Sequence, residues 1–368
     1  MKKKAQKLGF LGGGQLARMM AARCHQMGLN CQSYVAAETD PAAQVADFVK
    51  SDDASLKSFC RSLTHLTFES EFANPSDLKA LSKIPDLEVF PRADLMLQLQ
   101  DRLSQKELIH TARLPTSPFL AVKDLSDLQI AIADLGFPLV LKQRRDGYDG
   151  YGTILLKSKS AIQKQIARIE NFKPGWIAEA WVPFQRELAI GVARNKSNQM
   201  SVLPLVQTYQ KDSRCLWVKG PVDHPGLARL VRKIKSFMTS TDYVGLLTFE
   251  LFDIGDKLLV NELAPRVHNS GHYTMEALHI DQFELHIAAG LNRDLPKKIK
   301  PVSEFAMYNI LGGMAKTPKL ATSADSRLHW YGKHEIRPGR KMGHITALAS
   351  NSDKALLAAK KHRSRIKV

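Results

Sequence analysis

Two carboxylates twelve positions apart carry the strongest chemical signal in this chain, within TFELFDIGDKLLVNELAPRVHNSGH, Thr248 to His272. Glu250 lies in one apolar stretch and Glu262 in a second, with Asn261 beside it. The intervening DIGDK has the Asp and Gly composition of a hairpin turn. A hairpin of that length brings Glu250, Glu262 and Asn261 together. Two carboxylates and an amide oxygen are hard ligands, the kind that hold Mg²⁺ carrying nucleotide phosphates. The plain alternative, two carboxylates solvated at strand ends, sits poorly with the apolar setting, because an unpaired buried carboxylate is costly.

Three further segments offer matching chemistry. FPLVLKQRRDGYDGYGT puts Lys142 at a strand end, followed by a loop of Gly147, Tyr148, Asp149, Gly150, Tyr151 and Gly152. Glycines let backbone N–H groups approach phosphate, and lysine adds a point charge. The Walker pattern is absent, and alone the loop reads equally as a flexible hairpin. WIAEAWVPFQRELAI gives Glu179 and, eight residues on, Glu187, with Ala180, Trp181 and Val182 between them. Apolar cover and free backbone groups there suit an adenine ring, with a carboxylate left for ribose hydroxyls; alone it is an ordinary strand–loop–strand. RVHNSGH packs Arg266, His268, Asn269, Ser270 and His272 beside the candidate metal strand, a density of donors that suits an anion or polar substrate. GKHEIRPGRKMGH sets Lys333, Arg337, Arg340 and Lys341 around a Pro-Gly turn, either a solvated basic turn or a phosphate clamp.

The elements that must position these groups read as an α/β chain. Residues 1 to about 90 alternate strand and helix, a parallel layer: KLGFLG, GGQLARMMAARCHQMG, NCQSYVA, LTHLTFES, SDLKALSKI opened by Ser76, and EVFPR. Gly12-Gly13-Gly14 after the first strand reads either as a tight strand-to-helix turn or as a helix N-terminus facing an anion; the G-x-G-x-x-G spacing is not met, since Ala17 replaces the third glycine. The pattern from 92 to 114 predicts one helix. Alternating strands and helices continue to about 290, and a small β-rich piece follows from 300 to 350.

The 368 residues exceed what one core usually serves, so two or three domains are expected. The formal charge is +17, but Lys and Arg are spread along the chain, with a modest cluster only at KKHRSRIKV. No RNA- or DNA-binding motif is present, which argues against nucleic acid as the main partner. No apolar run approaches the ~20 residues that span a membrane. Cys24, Cys31, Cys60 and Cys215 lack metal spacing, and with no secretory signal at the glycine-broken N-terminus they read as free thiols in a reducing cytoplasm.

Taken together these segments resemble the ATP-grasp superfamily and, within it, the N5-carboxyaminoimidazole ribonucleotide synthetases. The resemblance rests on LGGGQLARMM (11–20), DPAAQVAD (40–47), QDRLSQK (100–106), LKQRRDGYDGYG (141–152), DYVGLLTFELF (242–252), VNELAPRVHNSGHYTMEA (260–277), QFELH (282–286) and HWYGKHEIRPGRKMGH (329–344). It implies an α/β (α+β) architecture of three parts: a Rossmann-like parallel domain (1–98), an ATP-grasp domain (99–298, small lobe about 115–182) and a small C-terminal β-rich domain (299–368). It also implies a homodimer that uses ATP, Mg²⁺ and bicarbonate to carboxylate 5-aminoimidazole ribonucleotide through carboxyphosphate. Carried over, Arg102, Lys142 and the Gly147–Gly152 loop would hold the phosphates, Glu179 to Val182 the adenine, and Glu187 the ribose. Glu250 and Glu262 would bind Mg²⁺, with Asn261 adjacent. Arg266, His268, Asn269 and Ser270 would line the bicarbonate and γ-phosphate pocket. Lys333 and Arg340 would clamp the ribonucleotide phosphate, with Gln15 and Tyr148 bordering that substrate.

The chain departs from the family pattern in one region. Tyr151 stands where a Lys or Arg is usual, near the reacting centre. Thr208, Gln210 and Ser213 replace Asn, His and Gly in the 207–215 loop, and Glu69 and Glu71 are shifted by one in FESEFAN. Either other residues such as Arg144 or Arg214 compensate, or the chain is a divergent ATP-grasp ligase, or an ATP-binding paralogue, whose second substrate has changed.

Overall fold

The structure is a computed structural model that describes residues 6–147, 150–169, 175–314 and 317–368. Tyr148 and Asp149 of the glycine loop lie outside these. Three sheets form among the described residues. The first is parallel and five-stranded, in the order Asp47–Lys50, Asn30–Val35, Lys7–Leu11, His65–Phe68, Glu88–Phe90. Its central strands bury Leu8, Phe10, Leu66 and Phe68, and helices cover them.

Asn74, not Ser76, caps the helix Pro75–Leu81: its side chain accepts the Ser76 N–H, and Pro75 takes the first turn, where no N–H is needed. The glycine turn also resolves. The Leu16 N–H donates to the Glu69 carboxylate, so an internal carboxylate occupies the helix N-terminus at which an anion was one alternative. A Cβ on Gly14 would come within 2.3 Å of Glu69 Oε1, and one on Gly13 within 2.5 Å of Asp40 Oδ2. The glycines admit these two acids.

The single helix expected over 92–114 is two, Ala93–Leu99 and Arg102–Thr111. Asp101 breaks it by accepting the N–H groups of Leu103 and Ser104. Buried Leu95, Leu99, Leu103 and Ile109 keep helical spacing across the break, so the apolar pattern does not reveal it.

The second sheet is antiparallel, in the order Phe119–Val122, Trp176–Ala180, Leu139–Gln143, Thr153–Leu156. The third has nine strands and begins at the edge with Leu258–Ala264, then Gly245–Asp253, Arg186–Arg194, Val206–Lys211 and Arg214–Gly220. It does not stop there. Arg214–Gly220 pairs antiparallel with Glu304–Leu311, which continues through Lys341–Ala349 to Ser326–Trp330. The β-rich end of the chain therefore extends the large sheet. A helix that the sequence reading passed over, Ser352–Ser364, packs on it with Ala355, Leu356 and Ala359 buried. No described helix is long and apolar enough to cross a membrane.

His286 ties the parallel layer to the large sheet. Its Nδ1 accepts the Leu246 N–H at 3.0 Å, and its Nε2 lies 2.7 Å from the Thr67 hydroxyl, which itself donates to the Phe90 carbonyl. Burial holds this imidazole down at about 3, so it stays neutral in the fold. Unfolded, it takes up a proton below its ordinary value of about 6.5, so the unfolded state binds more protons across that window and stability drops as the pH is lowered through it. From this group alone, stability at about pH 5.5 is roughly 1.4 kcal/mol lower than at about pH 8. Urea denaturation of His286→Gln should show a pH dependence shallower by that amount; an unchanged slope would mean the imidazole titrates in the fold.

Candidate active site

A cleft of about 960 Å³ opens between the four-stranded and nine-stranded sheets, with the parallel layer along one side. Antiparallel pairing sets Glu250 directly opposite Glu262. The register slips between Glu250 and Leu251, so Asn261 is an extra residue in its strand. In a regular strand Asn261 and Glu262 would point to opposite faces. The bulge turns both into the cleft, where Glu250 also lies.

Leu258–Ala264 is an edge strand, and its outer backbone groups are covered deliberately. The Gln105 side chain accepts the Leu263 N–H at 2.8 Å and donates to the Leu263 carbonyl at 3.0 Å. The Val260 N–H reaches Pro115 O at 2.7 Å, and the Thr116 hydroxyl reaches Val260 O at 2.7 Å. The helix Arg102–Thr111 and the 115–117 segment thus fix the strand that bears Asn261 and Glu262.

Glu179 is the electrostatic centre of this end of the cleft. It is 4% exposed. Lys142 Nζ stands 2.9 Å from one carboxylate oxygen and Lys106 Nζ 2.9 Å from the other, where Ser117 also donates at 2.9 Å. Burial pushes this carboxyl up, but the two ammonium groups override it and hold it at about 2. Lys142 also donates to Asn261 Oδ1 at 3.1 Å, joining the two sheets across the cleft. Lys106 is the main residue that sequence reasoning missed. Its signal was a lysine on the buried face of an amphipathic helix, next to Gln105 and between Leu103 and Ile109.

Three carboxylates converge without a matching set of cations. Burial, then the negative charges of Glu262 and Glu187, raise Glu250 to about 8. Burial raises Glu187 to about 7 against the pull of Lys142. An all-oxygen set that resists ionisation until a cation arrives fits Mg²⁺ with its nucleotide.

Other expected residues line the same cleft in arrangements that refine their roles. Arg102 donates to the carbonyls of Gln143 and Gly147, each at 2.9 Å, and stands 3.4 Å from Glu262, so its guanidinium anchors the glycine loop. Gly150 (φ +82°) lets the loop touch the hairpin tip, since a Cβ there would meet Ser213 at 2.4 Å. Gly152 (φ +73°) does not line the cleft and closes the loop behind it, its carbonyl accepting the Gln143 N–H at 2.7 Å. Not all the backbone groups expected to be free at Ala180–Val182 are so: Ala180 N–H donates to Pro118 O and Trp181 N–H to Pro138 O. Phe184 and Phe252, stacked at 4.6 Å, add an apolar wall that the sequence reading did not name.

At the other end, Arg266 is clamped by Glu71 of the parallel layer through both carboxylate oxygens, one at 2.8 Å. Burial opposes Glu71 ionisation, yet Arg266 holds it at about 2. His268 accepts the Ser270 N–H at Nδ1, leaving Nε2 3.3 Å from Glu250 Oε1. Burial, with Arg266 and Lys341 nearby, drives His268 down to about 3, so it faces Glu250 as a neutral donor. Asn269 exchanges amide hydrogen bonds with Asn309 at 3.0 and 2.7 Å. Gln15, Ser270, Lys333, Arg337, Arg340 and Lys341 complete the lining. Gln44 holds the Lys333 turn through the Gly332 carbonyl at 2.6 Å.

Of the two compensating arginines considered, Arg214 lines the cleft against Gly339. Arg144 does not: it pairs with Asp101 at 2.8 and 3.0 Å behind the loop. Tyr151 lies at the cleft, 59% exposed. Ser213 and Asp212 form a two-residue hairpin turn with φ +60° and +50°, the conformation that favours glycine where this chain has serine.

Antiparallel lobes enclosing a lysine-and-glycine loop, opposite a paired carboxylate strand, define an ATP-grasp protein. A family model described as ATP-grasp domain matches residues 107–283, flanked by a ribonucleotide synthetase preATP-grasp domain over 5–100 and a phosphoribosylaminoimidazole carboxylase C-terminal domain over 306–357. The N5-carboxyaminoimidazole ribonucleotide synthase of Synechococcus elongatus is 38% identical over 93% of this chain and 89% of its own length, and that of Synechocystis 36% over 95% and 93%. The chain belongs to this family. Among solved structures, the Staphylococcus aureus synthetase complexed with ADP superposes with TM-score 0.88 at 29% identity, covering 98% of both chains. The Aspergillus clavatus enzyme in complex with ADP and 5-aminoimidazole ribonucleotide gives 0.84 at 26%, covering 98% of this chain and 99% of that one.

The shared carboxylate can be tested directly. Lys106→Met should lower unfolding stability by about 3 kcal/mol, because it strips one partner from a buried ion. The double variant Lys106→Met/Glu179→Gln should recover part of that loss in urea denaturation. Simple additivity of the two single losses would show that the pair is not coupled.

Proposed function

We infer that this chain is an ATP-dependent ligase that carboxylates 5-aminoimidazole ribonucleotide in purine biosynthesis, with bicarbonate as the carbon source. The observation that carries the reading is the cleft itself. Glu250 opposes Glu262 across a bulge, Lys142 faces them, and the basic turn of Lys333, Arg337 and Arg340 closes the far end.

ATP lies between the sheets, its base against Phe184, Phe252 and Trp181, its ribose at Glu187, and its phosphates at Lys142 and the glycine loop. Glu250 and Glu262, with Asn261 beside them, would hold Mg²⁺, which when bound neutralises phosphate charge. Bicarbonate attacks the γ-phosphorus, giving carboxyphosphate and ADP. Carboxyphosphate breaks down to CO₂ and phosphate, and the amine of the ribonucleotide captures the CO₂. Neutral His268 and the Glu71-bound Arg266 orient polar groups at that point without adding a mobile proton. Lys333, Arg340 and Arg214 suit the ribonucleotide phosphate. Water must be excluded, since carboxyphosphate hydrolyses readily. The Gly150–Ser213 contact brings the loop down onto the large sheet, which supports that role.

We place the enzyme in the cytoplasm, in line with four buried, unbridged cysteines, and as a homodimer by family likeness. Tyr151 supports a second reading, an ATP-grasp ligase with an altered amine substrate.

ADP release measured with Mg-ATP and bicarbonate should rise strongly on adding 5-aminoimidazole ribonucleotide, with carboxylated product formed. ATP binding without that stimulation would favour the altered substrate. Glu262→Gln should abolish Mg²⁺-dependent turnover while leaving the melting temperature in place; retained turnover would remove the metal assignment. Tyr151→Lys should raise turnover with unchanged ATP affinity, whereas loss of activity would mean the tyrosine contacts the second substrate.

A further inference from the structure

Behind the His268–Ser270 turn lies a polar cluster that this chemistry does not use. Glu276 stands on the short helix Thr274–Ala277, His329 on the strand Ser326–Trp330 and His344 on the strand Lys341–Ala349. His329 and His344 are direct cross-strand partners, with rings stacked at 4.6 Å. One carboxylate oxygen and one nitrogen from each imidazole all lie within 4.8 Å of one another.

Two atoms of this cluster are buried and unpartnered: Glu276 Oε2 and His344 Nε2. His344 is wholly buried. Its other nitrogen, Nδ1, lies 2.9 Å from the Tyr331 hydroxyl, and Glu276 Oε1 lies 2.7 Å from His329 Nε2. An orphaned carboxylate oxygen and an orphaned ring nitrogen within one such cluster call for an ion or ordered water as partner. If Nδ1–H donates to the Tyr331 oxygen, the Nε2 lone pair is left free, which is the tautomer that ligation needs, held by an outer hydrogen bond as ligating histidines usually are.

We propose that Glu276, His329 and His344 form a site for a divalent first-row transition ion of the Zn²⁺ class, with water as the fourth ligand. Two imidazoles and one carboxylate are a borderline donor set that selects such ions over Mg²⁺ or Ca²⁺, which favour all-oxygen shells. Bond lengths of about 2.0–2.2 Å place ligand atoms some 3–4 Å apart, so donors now within 4.8 Å of one another would draw in slightly around an ion. The site is chemically distinct from the Glu250–Glu262 pair. The ion would pin the helix Thr274–Ala277 to the terminal strands, directly behind the Asn269–Gly271 turn that faces the cleft. His329 and Glu276 are only partly buried, which gives an ion a way in.

The test uses the full chain, stripped with chelator and kept in excess Mg²⁺ so that the oxygen-only pair is occupied. Co²⁺ should give a visible ligand-field band, displaced by one equivalent of Zn²⁺ per chain, and Zn²⁺ should raise the melting temperature. His329→Gln and Glu276→Gln, each checked for folding without added metal, should weaken Zn²⁺ binding roughly tenfold or more. Glu262→Gln should keep the band. Absence of a Zn²⁺-displaced band, or a band that survives both substitutions, would overturn the proposal and leave water as the bridge. A band lost only in Glu262→Gln would do the same, by placing the ion at the nucleotide pair.

Discussion

Glu179 shares its two oxygens between Lys106 and Lys142, and much of the site's geometry hangs on that arrangement. A carboxylate so deeply buried is tolerable only when ionised partners surround it. Its partners come from different places: Lys106 from the helix Arg102–Thr111, Lys142 from the neighbouring strand of the small sheet, and Ser117 from the connecting segment. The same helix carries Gln105, which holds the edge strand bearing Glu262, and Lys142 reaches across to Asn261. One buried charge therefore sets the spacing between Lys142 and the Glu250–Glu262 pair proposed to hold the metal.

Charge is also segregated along the cleft. Around Glu250 and Glu262, acids outnumber nearby cations, so Glu250 and Glu187 hold their protons into the neutral range. At the Arg266 end the reverse holds, where Glu71 is fully ionised and His268 neutral. The Tyr151 departure falls at the loop that lies between the two ends, and Arg214 supplies a positive charge on the opposite wall.

The hairpin that joins Glu250 to Glu262 was legible because turn residues separate two apolar runs, and the register follows from counting. The bulge was not, since one extra residue leaves the apolar pattern unchanged while reversing which way Asn261 points. The helix break at Asp101 was hidden for a related reason: buried leucines keep helical spacing through it, and only the side-chain capping reveals it. Lys106 carried a local sign, a lysine on the buried face of its helix, whereas Asn309 acts through Asn269, distant in sequence, so nothing local marks it. The terminal helix Ser352–Ser364 did carry a local signal, an Asn351 cap before Ala355, Leu356 and Ala359, within a run rich in basic residues. The merging of the last strands into the large sheet depends on pairing between residues about 90 apart, such as Trp217 and Tyr308, which no window of sequence displays.

That merged sheet has a mechanical consequence. A hydrogen-bonded ladder runs without interruption from the strands of Glu250 and Glu262 to the strand that begins at Lys341, so these parts form one jaw of a vice. The four-stranded sheet, with Lys142 and the glycine loop, faces it as a separate jaw. If Glu250 and Glu262 hold the metal and the Lys333–Arg340 turn grips the ribonucleotide phosphate, as proposed, the span between them is fixed by one continuous sheet. Substrate length would then be gauged within the large sheet alone, wherever the four-stranded sheet sits.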